Sequence, residues 1–170
     1  MDGEVLSIPE TLVLWSDNKG HEIRIETLRI AARSANVGEL LNAHWDEVAH
    51  YKDKIPLAPL WAHLEKMELD GDLLLLTVRE EEELIGYGMF IKRRHLHYQS
   101  LLIGENDLIF LDPAKRKTGM GLKLIEESEK CLKAAGCNKI TFHMKPEHSF
   151  APLLERRGYR LEELLYGKLL

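Results

Sequence analysis

The segment KRKTGMG, Lys115–Gly121, places cations and glycines directly before an amphipathic stretch that begins at Leu122. Glycines let a backbone approach a ligand because no Cβ stands in the way. The first turn of a helix offers unpaired N–H donors and the positive end of the helix dipole, which favour phosphate. The spacing fits neither GxGxxG nor GxxxxGK[ST]. The residues alone therefore leave two interpretations open, an anion-binding loop and a basic, solvent-exposed turn.

Other side chains could also do chemistry. His95 and His97, in HLHY, fall on one side of a predicted strand at a spacing that can chelate a metal, but the sequence offers no third ligand. We therefore expect no metal; packing on the strand surface is the simplest role, and an acceptor-pocket wall that includes His97 or Tyr98 is the alternative. Cys131 and Cys137 match no metal spacing and have no neighbour that would activate a thiolate. We expect them to be structural.

Composition limits the classes of protein that the chain can belong to. It has 170 residues, a formal net charge of -5 and a pI near 5.9. These values favour one globular domain and argue against nucleic acid as a partner. The longest aliphatic run, Leu73–Leu76, is too short to span a bilayer, and the first ten residues lack a signal-peptide pattern. We therefore expect a cytoplasmic protein without a membrane partner.

The N-terminal half is predicted to contain a strand and two helices. Alternation of apolar and polar residues predicts a strand over 21–28. Helical spacing predicts one helix over 37–48, with Asn36 and Glu39 as a capping pair, and a second over 57–67 that ends at Gly71. Residues 1–20 are expected to be an extension of uncertain structure, in which TLVLW fits either a strand or a short helix. A single domain is expected over 21–170.

The remaining elements follow a different periodicity. DLLLLTVR, ELIGYGMFIKRRHLHY and NDLIFLD predict three strands, and a helix that Gly136 ends comes after KRKTGMG. KITFHM predicts another strand, FAPLLERRG a short helix, and YRLEELLYGKLL a final strand or two. The order β-α-α-β-β-β-α-β-α-β predicts an α/β fold with a mixed central sheet flanked by helices.

The loop and its surroundings resemble a known family. RKTGMG is similar to the R/Q-x-x-G-x-G/A element of the GCN5-related N-acetyltransferase (GNAT) superfamily. The apolar strand that ends in LDP, the following helix, a later strand and Gly158-Tyr159 agree with that family across residues 21–170. LHY and the C-terminal ending further resemble phage-encoded acetyltransferase-like proteins. The resemblance implies a mixed, mostly antiparallel sheet.

The same resemblance implies a cosubstrate, acetyl-CoA or another acyl-CoA. Its pyrophosphate would bind the backbone N–H groups of the loop, and its pantetheine arm would lie along Phe110 and Leu111. The loop residues concerned are Arg116, Lys117, Thr118, Gly119, Met120 and Gly121.

The resemblance also suggests catalytic residues. Members of the family often use a glutamate early in the strand before the loop, which corresponds to Glu105; Asp107 would lie two residues on, on the same face. The alternative is that both residues merely cap a turn, GEND. The family element N-x-x-A-x-x-x-Y-x-x-x-G-[FY] survives only as Gly158-Tyr159, with Leu154 at the place of the tyrosine that acts as an acid. Candidates for the proton donor are therefore water and the side chains of His143, His148 and Tyr166.

We therefore expect an N-acetyltransferase in which an amine attacks acetyl-CoA directly in a ternary complex. The acceptor, a small molecule or a protein amine, is not identified by the sequence, and a monomer or a homodimer is expected. Several carboxylates of the N-terminal helices fit either a cationic acceptor or a solvated face: Asp46, Glu47, Glu65 and Glu68. The alternative function is a non-catalytic member that binds CoA or a protein partner.

Overall fold

A six-stranded sheet runs through the computed structural model, which describes residues 10–170. The strands lie side by side in chain order: β1 Thr11–Ser16, β2 His21–Glu26, β3 Leu73–Glu80, β4 Glu83–Arg94, β5 Leu102–Leu111 and β6 Lys139–Thr141. Neighbours from β1 to β5 are antiparallel, whereas β6 is parallel to β5. The predicted mixed, mostly antiparallel sheet is confirmed.

Helices cover both faces of this sheet. They are α1 Leu28–Ala31, α2 Val37–Val48, α3 Trp61–Leu69, α4 Met120–Ala134 and α5 Ala151–Glu155. The helix predicted over 37–48 is confirmed, but its capping pair is wrong. Asn36 makes no side-chain cap and instead donates its Nδ2–H to the Leu84 carbonyl oxygen at 2.8 Å. This bond ties the start of α2 to β4.

The apolar run in β3 is buried on both faces, which explains why it shows no alternation of apolar and polar residues. Leu76 and Val78 pack in a cluster that includes Leu124 of α4. Leu73 and Leu75 pack in a second cluster on the other face, with residues of α1 and α2. The sheet therefore separates an α4 side from an α1–α3 side.

β5 and β6 stay together over only a short distance. Their pairing runs from Ile103–Lys139 to Glu105–Thr141. Just beyond this pairing, the Asn106 side chain takes the place of the backbone hydrogen bonds between the two strands. Its Nδ2–H donates to the carbonyl oxygen of His143 at 3.1 Å, and its Oδ1 accepts from the His143 N–H. β5 continues to Leu111, and in residues 10–170 no strand pairs with that side of its second half. The edge of β5 from residue 107 to residue 111 is therefore unpaired, and the space beside this edge is called the gap.

The two ends of the chain differ from the prediction. The ambiguous TLVLW segment is strand β1, paired with β2, while residues 1–9 of the expected extension lie outside the described residues. The predicted final strand is wrong, because within the described chain no strand follows β6 and residues 160–170 are exposed coil. Leu161, Leu164 and Leu165 do not alternate with a period of two, so a strand could not bury them on one face.

No helix within residues 10–170 is both long and apolar enough to cross a bilayer.

Candidate functional site

The loop after β5 is shaped by Asp112 and Gly119. The Asp112 carboxylate accepts the Ala114 N–H at 2.8 Å and starts a 3₁₀ helix, Pro113–Thr118. Gly119 follows with a φ of +85°, and α4 begins at Met120. A Cβ at residue 119 would meet no atom within 4 Å, so the left-handed backbone and not crowding requires the glycine.

The N-terminus of α4 lies bare behind this glycine. α4 is 15 residues long, and its first internal hydrogen bond runs from the Lys123 N–H to the Gly119 carbonyl oxygen at 3.1 Å. The N–H groups of Met120, Gly121 and Leu122 therefore have no carbonyl partner within the helix. Gly119 has no side chain to cap them, and the helix dipole is positive there. These features suit an anion.

The side chains of two loop cations, Lys115 and Arg116, make contacts within the fold. Lys115 forms an ion pair with Glu80 of β3. Arg116 donates to the Leu111 carbonyl oxygen at 3.0 Å and to Glu47 of α2 at 2.6 Å. These two cations fasten the loop to the rest of the fold and do not face its open side. In the described chain, Lys117 alone of the three forms no salt bridge.

Phe110 and Leu111 can serve a ligand only through their backbones. Phe110 is 4% exposed, stacks on His44 of α2 at 4.6 Å between ring centroids, and lies below the Arg116 guanidinium. Leu111 is 7% exposed and packs on the α4 side. The Leu111 carbonyl oxygen accepts from Arg116, but no strand within residues 10–170 pairs with the second half of β5 on the side away from β4, and this edge suits an extended ligand that hydrogen-bonds as a neighbouring strand would.

Glu105 and Asp107 lie within β5, so the alternative of a GEND turn is wrong. The expectation that both side chains lie on one face assumes a regular strand, and β5 is irregular at this point. Asn106 pairs with Phe90 and Leu108 with Met89, which leaves Asp107 as the extra residue of a β-bulge. A bulge interrupts alternation and redirects side chains, as is common beside active sites.

The two carboxylates have different surroundings. Glu105 accepts from Arg93 at 2.8 Å and lies 3.8 Å from Nε2 of His143. Asp107 makes no salt bridge with any residue that the structure describes. Partial loss of solvation, together with the nearby charge of Glu105, raises the pKa of Asp107. Although exposed, Asp107 therefore accepts a proton more readily than an ordinary aspartate.

The candidate proton donors are separated by the fold. His143 lies at the mouth of the gap, where its backbone is bound by the Asn106 side chain. His148 lies 3.5 Å from Glu47, beside the loop. Tyr166 is 88% exposed in the C-terminal coil. The structure thus brings His143 next to Glu105 and leaves Tyr166 without a site around it.

The Gly158-Tyr159 pair is structural. Gly158 has a φ of +88°, and the Tyr159 hydroxyl donates to Glu129 of α4 at 2.9 Å. The Tyr159 ring packs edge-on against Phe142 at 5.5 Å. Leu154, at the place of the family's tyrosine, is 5% exposed and offers no proton.

Metal and thiol chemistry find no support. His95 and His97 lie in the loop after β4 and not on one side of a strand, so that part of the prediction is wrong. Between residues 10 and 170 no group of three or more potential ligands could hold a metal ion. Burial raises the pKa of Cys131 to about 11 and also raises that of Cys137. Both thiols are therefore protonated and poorly nucleophilic at neutral pH.

In the double variant Cys131→Ala/Cys137→Ala we expect the acyl transfer predicted from the sequence to proceed at the parent rate, because neither thiol is activated as a nucleophile. Half-burial of Cys131 predicts only a modest loss of stability, on the order of 1 kcal/mol. Intact mass after mixing with acetyl-CoA alone should show no acetylated protein. An acetyl adduct on the parent that disappears in the double variant, together with lost turnover, would establish an acyl-cysteine mechanism instead.

Sequence reasoning missed Asn106 and the pair formed by His44 and Tyr87. Asn106 is a buried amide that stands between Glu105 and Asp107, so nothing in the sequence distinguishes it from its polar neighbours. His44 Nδ1 and the Tyr87 hydroxyl lie 2.7 Å apart in the core of the α1–α3 side. Their contact joins residues 43 positions apart, so no local pattern indicates it.

Residues 38–159 match the sequence model of the acetyltransferase (GNAT) family. No curated protein sequence matches the chain significantly.

Solved structures of similar fold share little sequence with the chain. Glucosamine-6-phosphate N-acetyltransferase from Arabidopsis thaliana is 15% identical with a TM-score of 0.67, over 88% of this chain and 97% of that one. An aminoglycoside acetyltransferase from an uncultured soil metagenomic sample, in complex with sisomicin, is 13% identical with a TM-score of 0.68, over 89% and 97%. Ribosomal-protein-alanine N-acetyltransferase from Brucella melitensis biovar Abortus 2308 is 16% identical with a TM-score of 0.62, over 87% and 98%. These proteins are named for three different acceptors, so the shared fold does not identify one.

Proposed function

The chain belongs to the acetyltransferase (GNAT) family, and we propose that it transfers an acetyl group from acetyl-CoA to the nitrogen of an amine. The observation that carries this proposal is the bare N-terminus of α4 beside the open edge of β5. One element suits a diphosphate and the other suits an extended amide-bearing arm. A CoA thioester has both parts and supplies the activated acetyl group.

The cosubstrate would be held mainly by backbone groups. The N–H groups of Met120, Gly121 and Leu122 would bind the diphosphate, and Lys117, which forms no salt bridge within residues 10–170, would add a positive charge in the same loop. The edge of β5 from Leu108 to Leu111 would hydrogen-bond the arm. Arg116 would act indirectly, because its bonds to Leu111 and Glu47 keep the loop in place.

We propose that Asp107 is the general base that accepts the proton of the amine. An alkylamine has a pKa of about 10, so it must lose a proton before it can attack a carbonyl group. The raised pKa of Asp107 makes its carboxylate a stronger base than an ordinary aspartate. Glu105 is the second candidate, but its carboxylate is engaged by Arg93.

His143 is the proposed proton donor to the departing thiolate. It lies beside the gap, and Glu105 is near enough to orient its ring. Direct attack by the amine is favoured over an acyl-cysteine route because the pKa values of both thiols are raised.

A second function is favoured by one observation. Leu154, buried and apolar, occupies the place where relatives carry the acidic tyrosine. A non-catalytic member would bind CoA at the same loop without turnover.

The test is release of free thiol from acetyl-CoA in the presence of a panel of primary amines, with the acetylated amine identified by mass. We expect thiol release that depends on an amine and matches the product in amount. CoA binding without acetylation of any amine in the panel would support the non-catalytic alternative and contradict the proposed enzyme.

A further inference from the structure

A cavity of about 180 Å³ lies between helices α1, α2 and α3 and the sheet. We propose that it takes the apolar part of the amine acceptor, so that the acceptor is a monoamine with an aromatic ring or a branched aliphatic group; this inference rests on the proposed function. The walls are contributed by all three helices and by strands β3, β4 and β5. Representative lining residues are Ala32, Leu41, Trp45, Leu64, Met89 and Leu108.

The size and chemistry of the cavity suit one small apolar group. An apolar cavity of about 150 Å³ is large enough to bind benzene in another protein. Side chains of Leu, Val, Met and Trp dominate the lining. Near the same helices, Leu57 and Trp61 also line the cavity and are 43% and 46% exposed, so the apolar surface continues outward.

One buried polar atom in the wall lacks a partner. Thr77 of β3 is fully buried and lines the cavity, and its Oγ1 makes no hydrogen bond to any of residues 10–170. This oxygen has no accessible surface, so a ligand in the cavity would reach it only if the Thr77 side chain changed its rotamer.

The remaining polar side chains in the wall are neutral. His44 and Tyr87 are bonded to each other at 2.7 Å. Burial lowers the pKa of His44 to about 4, so its ring is uncharged at pH 7, and burial raises that of Tyr87. Among residues 10–170, no charged side chain lines this cavity, and a cationic group would not be stabilised inside it. The apolar part of the acceptor would enter, while its amine stays outside.

The cavity borders the strand that holds the proposed base. Leu108 in its wall directly follows Asp107 at the bulge of β5. His44, another lining residue, stacks on Phe110 of the same strand. An acceptor seated in the cavity would therefore have its amine near the part of β5 where the proton is to be removed.

The carboxylates of the N-terminal helices, which the sequence offered as partners of a cationic acceptor, do not favour a polycationic one. Glu47 is paired with Arg116, and Glu68 accepts the Leu28 N–H at 2.8 Å. Asp46 lies 3.8 Å from Lys52. Most of these carboxylates are therefore engaged within the fold. The cavity is the feature by which the protein would select an acceptor.

The test compares two primary amines, 2-phenylethylamine and ethanolamine, and one uncharged ligand, 2-phenylethanol. Turnover of each amine is measured with acetyl-CoA, and binding of 2-phenylethanol is measured by calorimetry. Ala32→Phe adds bulk at the cavity from an exposed position, so folding should survive. Ala43→Phe adds the same bulk on the exposed face of α2, away from the cavity, and is the matched control.

We expect kcat/KM for 2-phenylethylamine to exceed that for ethanolamine by at least about tenfold, the scale on which an apolar pocket discriminates. Ala32→Phe should remove this preference and the binding of 2-phenylethanol, and Ala43→Phe should keep both. Equal turnover of the two amines would overturn the cavity assignment and leave the proposed function standing. Binding of 2-phenylethanol without acetylation of any amine would overturn the proposed function, and the acceptor assignment with it.

Discussion

Replacing Gly119 with aspartate is expected to weaken CoA binding by at least about tenfold relative to the asparagine variant. Aspartate and asparagine have the same shape, and both tolerate the left-handed backbone that residue 119 adopts better than most residues do. Only aspartate adds a negative charge where the diphosphate would bind. Two unit charges about 4 Å apart interact by about 1 kcal/mol in water and by about 4 kcal/mol near a protein surface.

The pair of variants also controls for folding. A negative charge near a helix N-terminus stabilises the helix, so Gly119→Asp should melt no lower than Gly119→Asn. Calorimetric titration with CoA measures the affinity, and thermal unfolding measures the stability. Equal CoA affinity in the two variants would mean that no phosphate lies at the start of α4.

The second large effect is expected at Asp107. Asp107→Asn removes the proposed base and should lower kcat/KM by about 10²-fold or more at neutral pH, the usual contribution of general base catalysis. Because its pKa is raised, this carboxyl group loses its negative charge at a higher pH than an ordinary aspartate does. The parent rate should therefore decline on the acid side at a higher pH than an ordinary aspartate would give. The loss in the variant should shrink at high pH, where the amine deprotonates unaided.

Two further variants separate Asp107 from its neighbours. Glu105→Gln should have the smaller effect, since Arg93 already engages that carboxylate. Asp70→Asn removes an exposed carboxylate at the end of α3 and should change neither rate nor pH profile. CoA affinity should be the same in all three. Full activity of both β5 variants across pH would show that another group, or water alone, takes the amine proton.

The local elements of the site were predictable because their signals are local. The amphipathic pattern predicted the helix that follows Gly119, and α4 begins there. The left-handed backbone of Gly119 was not predicted, because the glycine was assigned to close approach of a ligand. Gly136, with a φ of +86°, ends that helix as expected. Such features depend on the conformational freedom of one residue or on the periodicity of a single stretch.

The remaining features depend on contacts between distant segments. The bulge at Asp107 arises from the pairing of β5 with β4. The partner of Lys115 is 35 positions away in the chain, and the partner of Arg116 is 69 positions away. A cation in a loop is therefore compatible with either a ligand or a structural partner until the fold is known. Similarly, C-terminal leucines indicate burial only if an alternating pattern gives them a common face, and these do not alternate.

The central claim is that CoA binds across the start of α4 and the open edge of β5. Backbone amide hydrogen exchange, measured with and without CoA, tests it most directly. We predict slower exchange on CoA binding at Met120, Gly121 and Leu122 and within 108–111, and little change in β1 and β2. Exchange that is unchanged in both of these segments while CoA is bound would contradict the account.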